Sequence, residues 1–173
     1  IQDTLGNVII KKDGTAGMEE KEPVIIQGHM DMVAVKELDC EKDMETEGLD
    51  LAVQGDYVYA KGTSLGADDG IAVAYALALL DSKDIPHPPL EVIITVDEET
   101  GMFGAQGIDL SMLQGKKMLN IDSEKEDELT VACAGGLRVY ANWQVAYTEI
   151  GDKEQYVVTV YGLKGGHSGV EIG

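Results

Sequence analysis

Three short apolar runs in this sequence each finish in side chains that bind cations. "VIIQGHMD" (24–31) ends in His29 and Asp31, "VIITVDEE" (92–99) in Asp97, Glu98 and Glu99, and "MLNID" (118–122) in Asp122. Alternate residues of an extended chain share a face, so His29 and Asp31 point one way while Met30 and Met32 point the other. A further pair, Asp68 and Asp69, opens an apolar, alanine-rich stretch. One imidazole and several carboxylates meeting at one rim suit a divalent cation such as zinc, manganese or cobalt. Each piece has a plainer explanation: a helix cap at Asp68 or Asp69, a solvated loop start at Glu98–Glu99, an exposed turn at Asp122. Two adjacent aspartates exceed what one cap needs, and every strongly apolar strand ends the same way. Repetition therefore favours the cation site.

The elements that must position these groups follow from the pattern. Val8–Lys12 reads as a short strand closed by the turn Asp13-Gly14, and Val24–Gln27 as a compact strand buried on both faces. Residues 36–47 are charged and aperiodic, a surface loop. Leu49–Gln54 and Tyr57–Ala60 flank Gly55-Asp56, a two-residue hairpin signal. "GADDGIAVAYALALL" enters a helix with the two aspartates at cap positions, and its small apolar body predicts packing on nearly every side. "IPHPP" ends it, and His87 within it reads as a loop residue. Leu90–Val96 and Met118–Ile121 are two more buried strands. Strands alternating with helical or loop connections predict an α/β fold with a mostly parallel sheet, and such sheets bind ligands outside the carboxyl ends of their strands.

After "CAGG" (133–136) the texture changes. Leu137–Tyr147 and Gln155–Tyr161 alternate polar and apolar residues, as half-exposed antiparallel strands do. A boundary near Gly135-Gly136 is expected, separating residues 1–134 from a second, incomplete domain at 135–173. The chain opens at Ile1 without an initiator methionine and stops after the glycine-rich "GLKGGHSGVEIG", so a fragment is expected.

Composition excludes several classes. The 173 residues carry 32 acidic and 13 basic side chains, a formal charge of −19, which argues against nucleic acid and anionic membrane as partners. An apolar fraction of 44% is enough for a core. Cys40 and Cys133 form no C-x-x-C pair, so neither a disulfide framework nor a cysteine zinc knuckle is indicated, and a reducing cytoplasm fits. The run Ile71–Leu80 is too short to span a bilayer, and no export leader is seen. The glycines fit neither G-x-G-x-x-G nor a Walker pattern, and no EF-hand loop occurs.

"GHMDMV", "GTSLGADDG", "VDEETGMFGA", "NIDSE" and "GLKGGHSG", in this order, resemble the dinuclear zinc peptidase superfamily, which includes aminoacylases, glutamate carboxypeptidases and several dipeptidases. The wording of "QGHMDMV" and "GLKGGHSG" is most similar to its aminoacyl-histidine dipeptidase (Xaa-His, carnosinase-like) branch. The resemblance covers nearly the whole chain. It implies a zinc-exopeptidase-like catalytic domain over residues 1–134 and the beginning of an α+β lid domain from 135. It also implies two zinc ions per full-length chain, with cobalt or manganese as alternatives. By that resemblance Asp68 bridges the ions, His29 and Asp122 complete one, and Glu99 binds the other. Glu98 is the general base, Asp31 orients the His29 ring, and His167 of the lid reaches over the substrate as an oxyanion donor. The implied activity is hydrolysis of small peptides of the Xaa-His type, and a homodimer of the full-length protein is possible.

Two departures qualify the match. Asp69 stands where the dipeptidase branch more often has asparagine. A further histidine ligand of the second ion, and most groups that would recognise the substrate carboxylate, belong to a downstream segment that this chain lacks. The 173-residue piece alone is therefore expected to be inactive. Another hydrolase of the superfamily, a tripeptidase or an aminoacylase, is the nearest alternative. A non-catalytic acidic cation-binding module is the more distant one, and the adjacent Glu98 and Glu99 count against it, since a structural site needs no spare base.

Overall fold

The computed structural model describes residues 1–123, 125, 127–132, 139–147, 149, 151–152, 154 and 156–162. The chain divides into two units, Ile1–Thr130 and Val131–Gly173. The first contains β1 (Val8–Lys12), β2 (Val24–His29), β3 (Leu51–Gln54), β4 (Tyr57–Ala60), α1 (Ala67–Asp81), β5 (Leu90–Thr95), α2 (Glu98–Gly101), α3 (Phe103–Gly107) and β6 (Lys117–Asn120). β1, β5, β2 and β6 form one sheet in that order, and β3 and β4 form a separate hairpin around Gly55-Asp56. β2 runs parallel to both β5 and β6, and β1 is antiparallel on the outer side of β5, so the sheet is mostly parallel as expected.

β5 is central, and all six of its residues are buried. Its unbroken β-branched run Val92-Ile93-Ile94 suits a strand covered on both faces. On one face Val92, Ile94, Leu90 and Ile26 of β2 pack with Ala76 of α1. On the other lie Ile9, Ile25 and Ile93, all buried. Each fully buried aliphatic side chain is worth about 1.5–3 kcal/mol of burial.

α1 departs from the expectation of packing on every side. Only Ala72 and Ala76 among its apolar residues are buried, while Ile71, Tyr75 and Leu77 are about half exposed. Alanines four residues apart lie on one face and let the helix approach β2 closely. The larger residues face outward because no described element covers them. β6 departs similarly. It was expected to be buried, yet all four residues are exposed, including Met118 and Leu119. Among the described residues β2 flanks one edge of β6 and nothing pairs with the other.

In the second unit the expected strands are not seen. Described residues 139–147 and 156–161 lie in no strand, and Val139, Tyr140, Trp143, Tyr156 and Val158 are largely exposed. A half-exposed strand needs a partner for its backbone and a surface for its apolar face, and none of the described residues supplies either. The expected boundary at Gly135-Gly136, like Cys133, lies outside the described residues. Among the described residues no helix is long and apolar enough to cross a membrane.

The end of the sheet away from the strand carboxyl ends is tied by polar groups. His87 lies in the loop between α1 and β5, as expected, but is buried there, and its main chain exchanges hydrogen bonds with Thr15. Glu91, 3% exposed, accepts from Gln114 N–H (2.9 Å) and Gly115 N–H (2.8 Å) and pairs with Lys11 Nζ at 2.8 Å. Burial alone pushes its pKa up, but the Lys11 bond and the two amide donors outweigh this and hold it below the ordinary value of 4.5. A depressed folded-state pKa stabilises above the unfolded value, and that stability is lost as pH falls through the folded one. Glu91→Gln should therefore cost about 1–3 kcal/mol at pH 7. In urea unfolding, the gap between variant and parent should narrow once the pH drops below about 4.5. A gap that does not change with pH would show that the charge of Glu91 is not what stabilises this corner.

Candidate metal centre

β2 and β5 stop side by side, with His29 level with Thr95, and both chains leave the sheet at the same edge. The third arrives by the Ile121 N–H bond to Gln27 carbonyl (3.3 Å), just beyond the β2–β6 pairing and immediately before Asp122. α1 begins at this edge as well. The parallel arrangement thus brings His29, Asp31, Asp68, Glu98, Glu99 and Asp122 together, as their positions at strand and helix ends require.

His29 is the fixed point, with 1% exposure. Its Nε2 lies 3.0 Å from Asp68 Oδ1 and 4.0 Å from Glu98 Oε2. Its Nδ1 lies 2.9 Å from the main-chain carbonyl of Asp31 and 3.5 Å from the Asp31 carboxylate. The ring is therefore oriented chiefly by the carbonyl of Asp31, whereas the sequence suggested its carboxylate. That carboxylate has other work. Oδ1 accepts the Glu98 N–H (3.2 Å) and Oδ2 the Glu99 N–H (3.1 Å), which satisfies two donors at the start of α2. The turn into α2 passes through Asp97 in the left-handed region (φ 57°).

The entry into α1 is irregular. Gly66 occupies the N-cap position without a side-chain bond, and Asp68 and Asp69 have non-helical dihedrals. The peptide between them is cis. Asp68 faces His29. Asp69 is 1% exposed; its Oδ2 accepts the His29 N–H at 3.2 Å, and its carboxylate also accepts the Ala72 N–H. One aspartate thus does the work of a cap and also anchors β2, and the other remains for the site. Gly28 permits this approach: a Cβ there would sit 2.5 Å from both Ala72 Cβ and Asp69 Oδ2.

Among the described residues two overlapping groups of donor atoms result. Atoms of His29, Asp68 and Asp122 all lie within 4.8 Å of one another, and so do atoms of His29, Glu98 and Glu99. With bond lengths of about 2 Å to nitrogen and carboxylate oxygen, the first group fits three donors to one divalent ion. The electrostatics agree. Burial lowers the His29 pKa, but the Asp68 and Asp31 hydrogen bonds and the charges of Asp122 and Asp31 outweigh it and raise the value. Burial raises Glu98, His29 partly offsets this, and the charges of Asp122, Glu99 and Asp68 push it further up. Asp69 is raised to about 6, first by burial and then by Asp122 against the His29 bond. Such a concentration of negative charge around one imidazole favours a bound cation.

Two residues outside the sequence expectations help to build this edge. Gly28 is one. The other is Asn7, 1% exposed, which bonds the main chain on both sides of the Asp97–Phe103 segment. Its signal in the sequence is "DTLGN", a polar turn that stands before an apolar strand. His167, expected to act over the substrate, lies outside the described residues.

Known proteins resemble this chain in sequence and in fold. The chain is 43% identical over 172 residues to the cytosol non-specific dipeptidase of Escherichia coli (strain K12), covering 99% of this chain and 36% of that protein. It superposes on the aminoacylhistidine dipeptidase of Vibrio alginolyticus with a TM-score of 0.70 at 48% identity, over 73% of this chain and 26% of the other. On a tripeptidase of Staphylococcus aureus subsp. aureus Mu50 the TM-score is 0.53 at 26% identity, over 69% and 30% of the two chains. The chain spans about a third of the length of the curated relatives it matches over most of its length. The family model of peptidase family M20/M25/M40 matches residues 25–158, a span that holds His29, Asp68, Glu98, Glu99 and Asp122, and the chain belongs to that family.

Proposed function

We propose that this chain carries the metal-binding and proton-transfer part of a dinuclear zinc dipeptidase acting on Xaa-His peptides. The observation that carries the reading is the buried His29, with Asp68 3.0 Å away on α1 and Glu98 4.0 Å away on α2. His29, Asp68 and Asp122 would hold one ion, while Asp68 and Glu99 would contribute to the other. When bound, the ions would lower the pKa of a water and polarise the scissile carbonyl. Glu98 would accept a proton at its carboxylate and pass it to the leaving amine, a role that its place 4.0 Å from His29 Nε2 supports. Asp31 holds His29 through its carbonyl and the Glu98–Glu99 turn through its carboxylate. Residues 1–134 belong to the catalytic domain in this reading, and 135–173 begin a lid that carries His167. A cytoplasmic location fits the name of the Escherichia coli relative.

Metal content and hydrolysis, measured on the complete gene product beside the 173-residue chain, test this. The expected result is about two ions per complete chain, with chelator-sensitive cleavage of β-Ala-His or Gly-His, and little activity from the 173 residues alone. Cleavage of tripeptides in preference to dipeptides would move the substrate toward that of the Staphylococcus aureus relative and leave the chemistry unchanged. No bound metal would remove the proposal.

A further inference from the structure

The segment that carries Asp97, Glu98 and Glu99 is gripped from below by a single side chain. Asn7 Oδ1 accepts the Val96 N–H at 3.1 Å, and Asn7 Nδ2 donates to the Gly104 carbonyl at 3.0 Å. Val96 and Gly104 are also joined directly, Gly104 N–H to Val96 carbonyl at 3.1 Å. The chain from 97 to 103 is thus a loop whose two ends are pinned to each other and to one buried amide. The packing there leaves no slack: a Cβ on Gly104 would collide with both Val96 O and Asn7 Oδ1. Asn7 is itself fixed. Its Nδ2 donates to Asp3 Oδ2 at 2.7 Å, while Asp3 Oδ1 accepts the N–H groups of Leu5, Gly6 and Asn7, each at 2.9 Å. Gly6, at φ 105°, makes the bend between them, a conformation that favours glycine.

We infer that Asn7, braced by Asp3, is the positioning residue that sets Glu98 and Glu99 against His29. The inference rests on the reading of Glu98 as base and Glu99 as ligand. Two supports of this segment are chemically different. Asp31 accepts the Glu98 and Glu99 N–H groups from the β2 side. Asn7 fixes the ends of the loop from the β1 side, touching neither glutamate. Asn7 bonds Val96 and Gly104, the residues that flank the segment carrying Glu98 and Glu99, so a change there should act first on the Glu98–Glu99 side of the site.

The test uses Asn7→Leu, which keeps the volume and removes both bonds, and Asp3→Ala, which loosens the amide without opening the core. Amide hydrogen exchange of the metal-free protein should speed up about tenfold or more at Glu98 and Glu99 in Asn7→Leu, with Ile26 and Val92 unchanged. Asp3→Ala should show a smaller effect at the same positions, and it serves if Asn7→Leu does not fold. Zinc titration of the complete gene product should show the weaker of two binding steps reduced about 10–100-fold, with the other unmoved. In kinetics kcat should fall with KM little changed. Exchange that is unaltered, or that speeds up uniformly through the sheet, overturns the inference, since the latter is what a merely structural residue would give. Exchange needs no metal and no substrate, so it reads Asn7 even if the protein proves not to be a peptidase. A metal-free, inactive parent would count against the functional reading alone.

Discussion

Glu98→Gln should leave metal content unchanged and slow dipeptide hydrolysis by the complete gene product about 10²–10⁴-fold, the usual contribution of a positioned general base. Glutamine has nearly the same shape, and the main-chain bond from residue 98 to Asp31 does not involve the altered group. What disappears is a carboxylate able to take a proton 4.0 Å from His29 Nε2. The neighbouring Glu99→Gln should behave differently, lowering metal content from about two ions to about one per chain. The contrast is the informative part. The two side chains are adjacent and both N–H groups bond the same aspartate, so equal effects would mean that the loop, and not a division of labour, governs activity. Retention of parental kcat in Glu98→Gln would place the base elsewhere.

Gly28→Ala is expected to damage the site through a single added methyl. The added Cβ would lie 2.5 Å from Ala72 Cβ and from Asp69 Oδ2, and neither can retreat freely. Ala72 is on the buried face of α1, and Asp69 is tied to His29 N–H. The start of α1 must move away from β2, taking Asp68 with it. Overpacking of this kind costs about 1–3 kcal/mol. A shift in the carboxylate beside His29, the proposed ligand, should weaken metal binding about 10–100-fold. Urea unfolding and zinc titration read the two effects separately. Normal zinc affinity in a destabilised Gly28→Ala would show that the site tolerates movement of α1.

The scaffold was readable where one residue pattern had one physical meaning. The unbroken apolar runs around β2 and β5 could hardly be anything but covered strands, and Gly55-Asp56 between two β-rich stretches marked the hairpin. Burial was misread where it depends on neighbours. The small residues of α1 fit a helix packed all round as well as one packed on a single side, and only the position of β2 selects Ala72 and Ala76. "MLN" has the composition of an inner strand, but its place beside β2 alone leaves it exposed. Within the site, the strand-end rule brought out His29, Glu98, Glu99 and Asp122 because their types are distinctive there. Who holds whom was not readable. A main-chain carbonyl such as that of Asp31 has no signature in a sequence, and Asn7 looks like any turn asparagine until Val96 and Gly104 are seen on either side of it.

The exposed outer edge of β6 bears on how the chain behaves at high concentration. A strand with unpaired backbone groups, and with Met118 and Leu119 uncovered, is a template for pairing with another molecule. Opposing this is a formal charge of −19, which keeps molecules apart at distances where the edge cannot act. The two influences have different ranges. Salt at about 0.15 M shortens the repulsion to roughly 8 Å and leaves backbone pairing untouched. Colloidal stability of this chain is therefore a matter of ionic strength, with low-salt buffers protecting an edge with which no described residue pairs.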